Sequence, residues 1–415
     1  MNVSNHDYKF SKDDVDYLLS PKAIMDKSYQ IYRSAEQGHT HFNVHLEKIT
    51  DIADIVLEVT KNNYPTLEIP FHSRWGHFNT PGLNRVDKFN KNLIGLDAKE
   101  RGRRKLDLVI TSVLLDAGAG DAWKFKDPET GEVIARSEGL ALASYHLFCE
   151  GHLSSDSKDP FRVDGEALKK LSVETVANVF QVTKENPLVG LEGRTNLLNR
   201  LGETLLKKKT FFKDGRPGNL VDYYEEIQGH DDQLFAEKVL RGVLDGLGEI
   251  WPGRIQLGGK NLGDVWAYPP FKKGKSTNDL VPFHKLSQWL TYSLIEPLID
   301  VGFNITRVEQ LTGLAEYRNG GLFIDGGALS LKDPENFKKS HSPDSELVIE
   351  WRALTLVLID KIAEQIRNKL QKSEVDFPLP KVLEGGTWWA GRKLAKNKRE
   401  GGGPPLQIQS DGTVF

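Results

Sequence analysis

The sequence predicts a mainly α-helical fold with a minor β component. Apolar residues recur at the three-to-four-residue spacing of one helix face through several long segments. Strand-like segments are few and short, and they do not alternate regularly with helices, which argues against a doubly wound parallel sheet. No repeat appears at the periods of roughly 20–50 residues that mark solenoid proteins.

The longest predicted helix covers residues 345–370, where apolar residues stay in helical register. Ser345 or Asp344 can cap its start, because their side-chain oxygens accept hydrogen bonds from the free N–H groups of a first turn. Shorter apolar faces predict helices over residues 106–114, 191–205 and 234–247. Short strands are predicted over residues 66–69, 254–257, 322–325 and 406–409.

We predict one compact domain over residues 1–415, made of two helical lobes at roughly 20–164 and 165–395. Loop-like breaks rich in glycine, proline and polar residues separate the helices, and none is a long low-complexity linker. A glycine-rich tail over residues 396–415 follows. This tail is either flexible or docked, since its last residues are apolar.

Composition excludes several classes of protein. The net charge of −3, with 27% charged residues, is too balanced to suggest a nucleic-acid or anionic-membrane surface. No apolar run reaches the roughly 18 residues of a membrane span, and the polar, acidic N-terminus is unlike a signal or transit peptide. We therefore expect a cytoplasmic protein with no membrane and no nucleic-acid partner, whose oligomeric state the sequence leaves open.

Cysteine and histidine give no sign of redox or metal chemistry. The single cysteine, Cys149, lies in an apolar run, which predicts a small core residue in preference to a nucleophile. The 11 histidines are scattered, with no pair at a metal-ligand spacing such as HExxH. Phosphate-binding P-loops and serine-nucleophile elbows are also absent. We predict no metal and no cofactor.

Residues 281–326 are the most informative part of the sequence. Lys285, Gln288 and Trp289 lie in a mostly apolar helical segment, and a short polar and aromatic cluster with Glu316 and its neighbours follows. Fixed charges in apolar surroundings are costly unless they are paired. Either an internal ion pair or the binding of a polar ligand explains them, and the sequence leaves both possibilities open.

Two further segments carry candidate ligand-binding residues. The motif SRWGHF places Arg74, Trp75 and His77 together: arginine can hold a phosphate or carboxylate in a fork, and tryptophan can stack on a planar group. A surface loop with an aromatic anchor is the alternative. The segment LLDAGAGDAW looks like a glycine-rich nucleotide loop, but a helical pattern precedes it, which favours a helix end or tight loop. Asp116 and Asp121 flank this bend and can face a pocket.

Ordered segments from about residue 73 to the C-terminus resemble the family of the fourth protein of the alternative uracil-catabolism (URC) pathway. The segments are SRWGHF, VLLDAGAGDAW, RSEGLALASYHLF, LEGRTNLLNRLGETL, GRPGNLVDY, LGDVWAYP, FHKLSQWLTYSLIEPL, ELVIEWRALTLVLID, LEGGTWWAGRK and GGPPLQIQSDGTVF. This resemblance implies a role in degrading uracil through a ring-opened ribosyl-urea, with a small pyrimidine-derived molecule as substrate. It does not by itself supply the reaction.

A second resemblance, to the queuosine-salvage nucleoside hydrolases, suggests one. FHKLSQ, with Lys285, is similar to their lysine-bearing helix, and LTGLAEYR is similar to their acidic motif, with Glu316 where they usually carry aspartate. LEGRTNLLNRLGETL, with Arg194, is similar to their arginine-bearing helix, and an acid of their last helix corresponds here to Glu346 or Glu350, followed by Arg352. Those enzymes cleave the bond between ribose and a base.

Together, the two resemblances imply hydrolysis of a ribosyl-urea, with or without a 5′-phosphate, to urea and a ribose sugar. Glu316 would be the catalytic carboxylate and Lys285 would bind the urea carbonyl or the sugar hydroxyls. Candidates for the phosphate are Arg74, Arg194 and Arg318, and candidates for the pocket walls are Trp75, Trp123, Trp289 and Tyr317. The alternatives are a pyrimidine phosphoribosyltransferase, which needs a parallel sheet, and a non-catalytic regulator of the pathway.

Overall fold

The computed structural model describes residues 8–116, 118–120, 122–229 and 232–409. The helices are α1 Lys12–Leu18, α2 Pro21–Glu36, α3 Ile49–Asn63, α4 Arg74–Phe78, α5 Arg85–Asn92, α6 Ala98–Leu114, α7 Arg136–Cys149, α8 Gly165–Lys170, α9 Val173–Val179, α10 Leu191–Lys207, α11 Leu220–Ile227, α12 Ala236–Leu247, α13 Lys285–Asp300, α14 Tyr317–Asp325, α15 Glu346–Leu370, α16 Leu379–Val382 and α17 Trp388–Lys398. The predicted mainly α-helical fold is confirmed.

Strands are short and occur in pairs within the described residues. They are β1 Phe42–Val44, β2 Lys124–Lys126, β3 Val133–Ala135, β4 Gln233–Phe235, β5 Gln256–Leu257, β6 Lys260–Asn261, β7 Val265–Ala267, β8 Leu280–Pro282, β9 Asn304–Thr306, β10 Leu329–Leu331, β11 Ser340–His341 and β12 Gln407–Ile408. The pairs are β1–β10, β2–β3, β5–β6 and β7–β8, all antiparallel, and β4–β9 and β11–β12, both parallel. None of them extends into a larger sheet.

The chain divides into two compact units that each combine distant stretches of sequence. Unit 1 comprises residues 1–72, 253–289 and 307–410, and unit 2 comprises most of the rest, residues 73–252 and 290–306. Residue 165, the predicted lobe boundary, lies inside unit 2. The single family domain stays a prediction.

The core of unit 1 forms where α2 and α15 pack together with the β7–β8 pair. Its cluster of buried residues includes Ile24 and Ile31 from α2, Tyr268 after β7, and Ile349 and Ala353 from α15. Helix α15 begins as predicted, with the Ser345 hydroxyl accepting a hydrogen bond from the Val348 N–H at 3.4 Å. In unit 2, α6 provides the central apolar face, and Leu106, Val109, Ile110 and Val113 are fully buried there.

The predicted strand over residues 322–325 is wrong, because these residues belong to helix α14. Gly320 and Gly321 lower the helix propensity of this segment, which is why its local pattern suggested a strand. Packing outweighs propensity here: a Cβ atom at Gly320 would lie 2.7 Å from the Trp351 ring, so the glycine lets α14 approach α15. No strand forms over residues 66–69, whereas those at 254–257 and 406–409 appear in shortened form.

The described part of the glycine-rich tail docks on unit 1. Arg399 donates two hydrogen bonds to the carboxylate of Asp325, at 2.7 and 2.6 Å, and β12 pairs with β11. The Arg399–Asp325 contact ties the tail to α14, whose N-cap residue is the candidate acid Glu316. Among the described residues, no helix combines the length and the apolar character needed to cross a lipid bilayer.

Cys149 ends α7, and burial raises the pKa of its thiol to about 12, although a hydrogen bond with Tyr145 acts in the opposite direction. At about pH 8 the reactive thiolate is therefore on the order of 10³-fold rarer than at an exposed cysteine. We expect a disulfide reagent to label Cys149 slowly in the native protein and rapidly in guanidinium chloride. Equal rates in the two states would contradict this expectation.

Candidate active site

Lys285 is the first residue of α13, and a tightly held turn positions it. His284, just before it, has a φ of 48°, in the left-handed region that is costly for residues other than glycine. His284 is fully buried, and its Nε2–H donates to the carbonyl oxygen of Leu18 at 2.8 Å. The carboxylate of Asp264 accepts the backbone N–H of Lys285 at 3.0 Å. The helix start is therefore fixed from both sides.

Glu316 is the N-cap residue of α14. Its carboxylate oxygens accept the backbone N–H groups of Arg318 at 2.7 Å and of Asn319 at 2.6 Å. Burial raises the pKa of Glu316 above its ordinary value, while these N–H groups and the charge of Lys285 act to lower it. The ammonium group of Lys285 thus lies close enough to Glu316 to influence its charge. The structure brings the two predicted catalytic residues together in unit 1.

An ion pair between the buried Arg352 and the partly buried Asp264 connects the segments that carry Lys285 and Glu316. Arg352 donates two hydrogen bonds to Asp264, from Nη1 at 2.8 Å and from Nη2 at 2.7 Å. Burial alone would raise the pKa of Asp264, but the Arg352 guanidinium outweighs it and holds that pKa well below its usual range. Arg352 also donates from Nε to the carbonyl oxygen of Ala315, at 3.4 Å, directly before Glu316.

Aromatic residues surround this ion pair. The indole N–H of Trp266 donates to Asp264 at 2.6 Å, and the Arg352 guanidinium lies 4.1 Å from the centre of the Phe283 ring. Sequence reasoning assigned no role to Asp264 or Trp266, and it noted Arg352 only as the residue after a candidate acid. The one available signal was an aspartate before an apolar strand in LGDVWAYP, which by itself has no distinctive spacing.

The remaining candidates of unit 1 lie on the same elements. Gln288 is fully buried one turn beyond Lys285, and the Trp289 ring is 4% exposed, with its centre 6.4 Å from that of His72. Arg318 donates from Nη1 to the carbonyl oxygen of Gly402 at 2.7 Å, and its guanidinium lies 5.0 Å from the ring of the half-buried Tyr317. Arg318 thus holds the tail, and its role in phosphate binding stays a prediction.

Glu350 lies on α15 in unit 1, and protein groups occupy both of its carboxylate oxygens. Oε1 accepts from the hydroxyl of Tyr268 at 2.8 Å, and Oε2 accepts from the backbone N–H of His41 at 2.7 Å. The imidazole Nδ1 of His41 lies 2.9 Å from the same Oε2. These hydrogen bonds compensate for the burial of the Glu350 carboxylate without any ligand. Its role in substrate binding stays a prediction.

Unit 2 contains a second polar cluster, around Arg74. This fully buried arginine lies 3.1 Å from the carboxylate of Asp116. The hydroxyl of Ser137 donates to the same carboxylate, and its oxygen lies 2.8 Å from each of the two carboxylate oxygens. Burial lowers the pKa of Arg74, and the charge of Asp116 opposes that change. His77 joins the cluster, with Nδ1 3.3 Å from Nη1 of Arg74. The side chain of Asp116 is 14% exposed, so the cluster reaches the surface there.

The predicted wall residues Trp75 and Trp123 are buried in unit 2 with their indole N–H groups paired. Trp75 donates to the carbonyl oxygen of Ser293 at 2.8 Å, and Trp123 donates to that of Phe180 at 2.9 Å. These hydrogen bonds belong to the packing of unit 2. That either ring contacts substrate stays a prediction.

Arg194 holds the loop that follows α6. Its guanidinium donates to the carbonyl oxygens of Leu115, of Gly118 at 2.8 Å and of Val189 at 3.2 Å. Burial lowers the pKa of Arg194 to about 10, and the charge of Asp116 opposes this. Helix α6 ends at Leu114, as predicted for this segment, and the arginine satisfies carbonyl groups left free after that end. The other acid predicted to flank the bend, Asp121, lies outside the described residues.

Among the described residues, no three His, Cys, Asp or Glu side chains are grouped so that they could hold a metal ion. The candidate groups in unit 1 are one carboxylate, one ammonium group and a buried amide. A carboxylate with a raised pKa beside a cation can stabilise a developing positive charge or orient a water molecule.

Comparison with known proteins supplies the family. A family model described as "Protein of unknown function (DUF1688)" matches residues 17–415. The chain belongs to this family. It is 38% identical over 436 aligned positions to "Uracil catabolism protein 4" of Lachancea kluyveri, covering 97% of this chain and 99% of that protein. It is 40% identical over 419 positions to "Protein urg3" of Schizosaccharomyces pombe, covering 98% of this chain and all of that protein. The predicted resemblance to the uracil-catabolism family is confirmed.

Proposed function

We propose that this protein acts in the catabolism of uracil by hydrolysing the N-glycosidic bond of a ribosyl-urea. The oxygen of a water molecule bonds to C1′ of the ribose and gives up one proton as the C1′–N bond breaks. The electron pair of that bond goes to the urea nitrogen, which takes up a proton, so that the products are ribose and urea. The full-length similarity to "Uracil catabolism protein 4" supports the pathway part of this proposal.

The observation that supports the reaction part is that Glu316, the N-cap of α14, lies in unit 1 within electrostatic reach of the Lys285 ammonium group. Cleavage of an N-glycosidic bond develops positive charge on the sugar ring, and a nearby carboxylate stabilises that charge or aligns the attacking water. Two backbone N–H groups at the start of α14 fix the Glu316 carboxylate, so it needs little reorganisation during the reaction. The side chain is only partly accessible to solvent, which strengthens its electrostatic effect relative to that of a fully exposed carboxylate.

Lys285 has the complementary role at the leaving group. The urea carbonyl gains negative charge as the bond breaks, and an ammonium group stabilises that charge. The backbone of Lys285 is held by Asp264, so the ammonium group extends from a fixed helix start. Arg74, Arg194 and Arg318 already donate to groups of the protein, so the proposal does not depend on a 5′-phosphate.

The phosphoribosyltransferase alternative lacks its fold. That class of enzyme needs an extended parallel sheet, with the substrate at the carboxyl ends of the strands. In the described residues every sheet has two strands, and the parallel pairs, β4–β9 and β11–β12, are isolated from each other. No observation favours this alternative over the hydrolase.

The direct test is to incubate the purified protein with ribosyl-urea and, separately, with ribosyl-urea 5′-phosphate. Released urea is measured by a urease-coupled ammonia assay, with uridine and uridine monophosphate as controls that contain an intact ring. We expect urea from at least one ribosyl-urea and none from the controls. Urea release no faster than in buffer, from both compounds, would rule out the hydrolase.

A second prediction concerns the pH dependence of this activity. Because burial raises the pKa of Glu316, its carboxylate form is lost on acidification at a higher pH than for an exposed glutamate. The acidic limb of kcat/KM should therefore lie above the ordinary range of a carboxyl group. Lys285→Met removes a charge that lowers the pKa of Glu316. The acidic limb measured on the activity that remains in this variant should therefore move to higher pH by roughly one pH unit.

The matched control is Lys61→Met, at an exposed lysine of α3 in the same unit. Its pH profile should coincide with that of the natural protein. If the acidic limb of the kcat/KM profile stays in place or moves to lower pH in Lys285→Met, then Lys285 does not lower the pKa of the group that titrates there.

A further inference from the structure

Gln288 is a buried amide whose polar atoms have no hydrogen-bond partner among the residues that the structure describes. Its side chain is fully buried, and neither Oε1 nor Nε2 forms a hydrogen bond with any of those residues. Buried polar groups are paired in the great majority of cases, because an unpaired one loses its hydrogen bonds to water on folding. An amide with both atoms unpaired therefore destabilises the fold, and its presence calls for a reason other than packing.

The position of Gln288 links it to the proposed active site. It follows Lys285 by three residues on α13, and residues at this spacing share one helix face. Helical side chains lean toward the N-terminus of their helix, so the amide of Gln288 lies over the turn that begins with Lys285. In the same turn, the backbone N–H of Lys285 donates to the carboxylate of Asp264, and the charge of Lys285 lowers the pKa of Glu316.

We propose that the Gln288 amide recognises the terminal ureido group of the substrate, an inference that rests on the proposed function. The Oε1 atom accepts from the ureido NH2, and the Nε2 atom donates to the ureido carbonyl oxygen, which closes a planar pair of hydrogen bonds. The carbonyl oxygen has a second lone pair, which the Lys285 ammonium group occupies. Both groups then bind the part of the substrate that leaves as urea.

The chemistry of the amide selects the ligand. A planar carboxamide presents one donor and one acceptor side by side, and a ureido group presents the complementary pair in the same plane. A phosphate or carboxylate offers no donor when ionised, so one amide atom would stay unpaired. The imide edge of an intact uracil ring offers a similar pair, and uridine is therefore the competing ligand to test. Because the amide has no exposed surface, the ligand reaches it by displacing a covering side chain.

The test combines stability with binding in Gln288→Met, which keeps the length of the side chain and removes both polar atoms. We expect its melting temperature to rise by roughly 1–3 °C, because an unpaired buried amide is lost. The control is Asn219→Leu in unit 2, a fully buried amide that accepts from the backbone N–H groups of Asp214 and Arg216. There the melting temperature should fall, because the substitution breaks existing hydrogen bonds.

Binding is measured by calorimetry in a Glu316→Gln background, so that ribosyl-urea stays intact. We expect Gln288→Met to weaken ribosyl-urea binding at least about tenfold. It should weaken binding of an analogue with a dimethylated terminal nitrogen less, because that analogue has already lost the hydrogen bond to Oε1 and keeps only the one from Nε2. This result supports the inference even if the natural protein releases no urea, in which case only the proposed hydrolysis fails. A lower melting temperature, unchanged ribosyl-urea affinity, no ribosyl-urea binding, or a larger loss of uridine binding would each overturn it.

Discussion

Glu316→Gln is expected to keep the fold and lose most of the turnover of ribosyl-urea. A catalytic carboxylate contributes about 10²–10⁴-fold to the rate, or roughly 3–5 kcal/mol of activation free energy. The substitution keeps the shape of the side chain and removes the charge that stabilises the transition state. KM should change far less than kcat, because the lost interaction exists mainly in the transition state.

The same variant should remain stable, and this separates a catalytic role from a structural one. The amide oxygen of glutamine can still accept an N–H group at the start of α14, so the helix cap is only partly lost. In addition, a folded-state pKa raised by burial means that the ionised carboxylate is less favourable in the folded than in the unfolded protein. Replacing it with a neutral group at neutral pH therefore costs little.

The measurement is kcat, KM and melting temperature on one preparation, with Glu335→Gln as the control. Glu335 is an exposed glutamate of the same unit, with 62% of its side chain accessible. Near-normal turnover in Glu316→Gln would remove this residue from the mechanism. The acids to test next would then be Asp116, Asp121 and Glu350.

Helices were the part of the fold that the sequence predicted best, because a helix face repeats locally. The apolar register of residues 345–370 and the cap at Ser345 are both read from neighbouring residues, and both are confirmed in α15. Helix α14 was missed because its cause is not local. Its two glycines disfavour a helix in isolation, and they are tolerated because α14 packs closely against Trp351.

The candidate site shows the same limit. The proximity of Lys285 and Glu316 was expected from a resemblance to known enzymes, whereas the pairing of Asp264 with Arg352 has no signal in spacing or composition. Arginine side chains illustrate a second limit. Arg194 was one of three candidates for the phosphate, which stays a prediction. Its guanidinium donates to backbone carbonyl groups, and nothing in the sequence indicated these acceptors, because a sequence shows where a donor is but not which acceptor folding brings to it.

The second large effect is expected at the Asp264–Arg352 ion pair. Arg352→Leu leaves the partly buried carboxylate of Asp264 without its main partner, and breaking a buried pair from one side costs up to about 3–5 kcal/mol of unfolding free energy. The side chains are 1% and 20% exposed, so solvent screens the pair weakly. Asp264→Asn should cost a similar amount, because it leaves the guanidinium buried and only partly paired.

The double variant, Asp264→Asn with Arg352→Leu, should lose less than the sum of the two single losses, since it leaves no unpaired charge. The pH dependence has a definite sign. The folded-state pKa of Asp264 is depressed, so its stabilising contribution is complete above the unfolded-state pKa of about 4 and is lost as the pH falls toward the folded value. The difference between Asp264→Asn and the natural protein should therefore shrink on acidification below about pH 4.

Unfolding midpoints in guanidinium chloride test these expectations. The control is Glu335→Gln, which removes an ion pair with Lys338 in which both side chains are exposed. That control should change the unfolding free energy by at most about 0.5 kcal/mol. Arg352 also bonds to the carbonyl before Glu316, and its partner Asp264 holds the N–H of Lys285. Loss of the ion pair should therefore reduce kcat per folded molecule as well as stability. Additive single effects of under about 1 kcal/mol, with normal turnover, would show that this ion pair neither stabilises unit 1 nor positions its candidate catalytic residues.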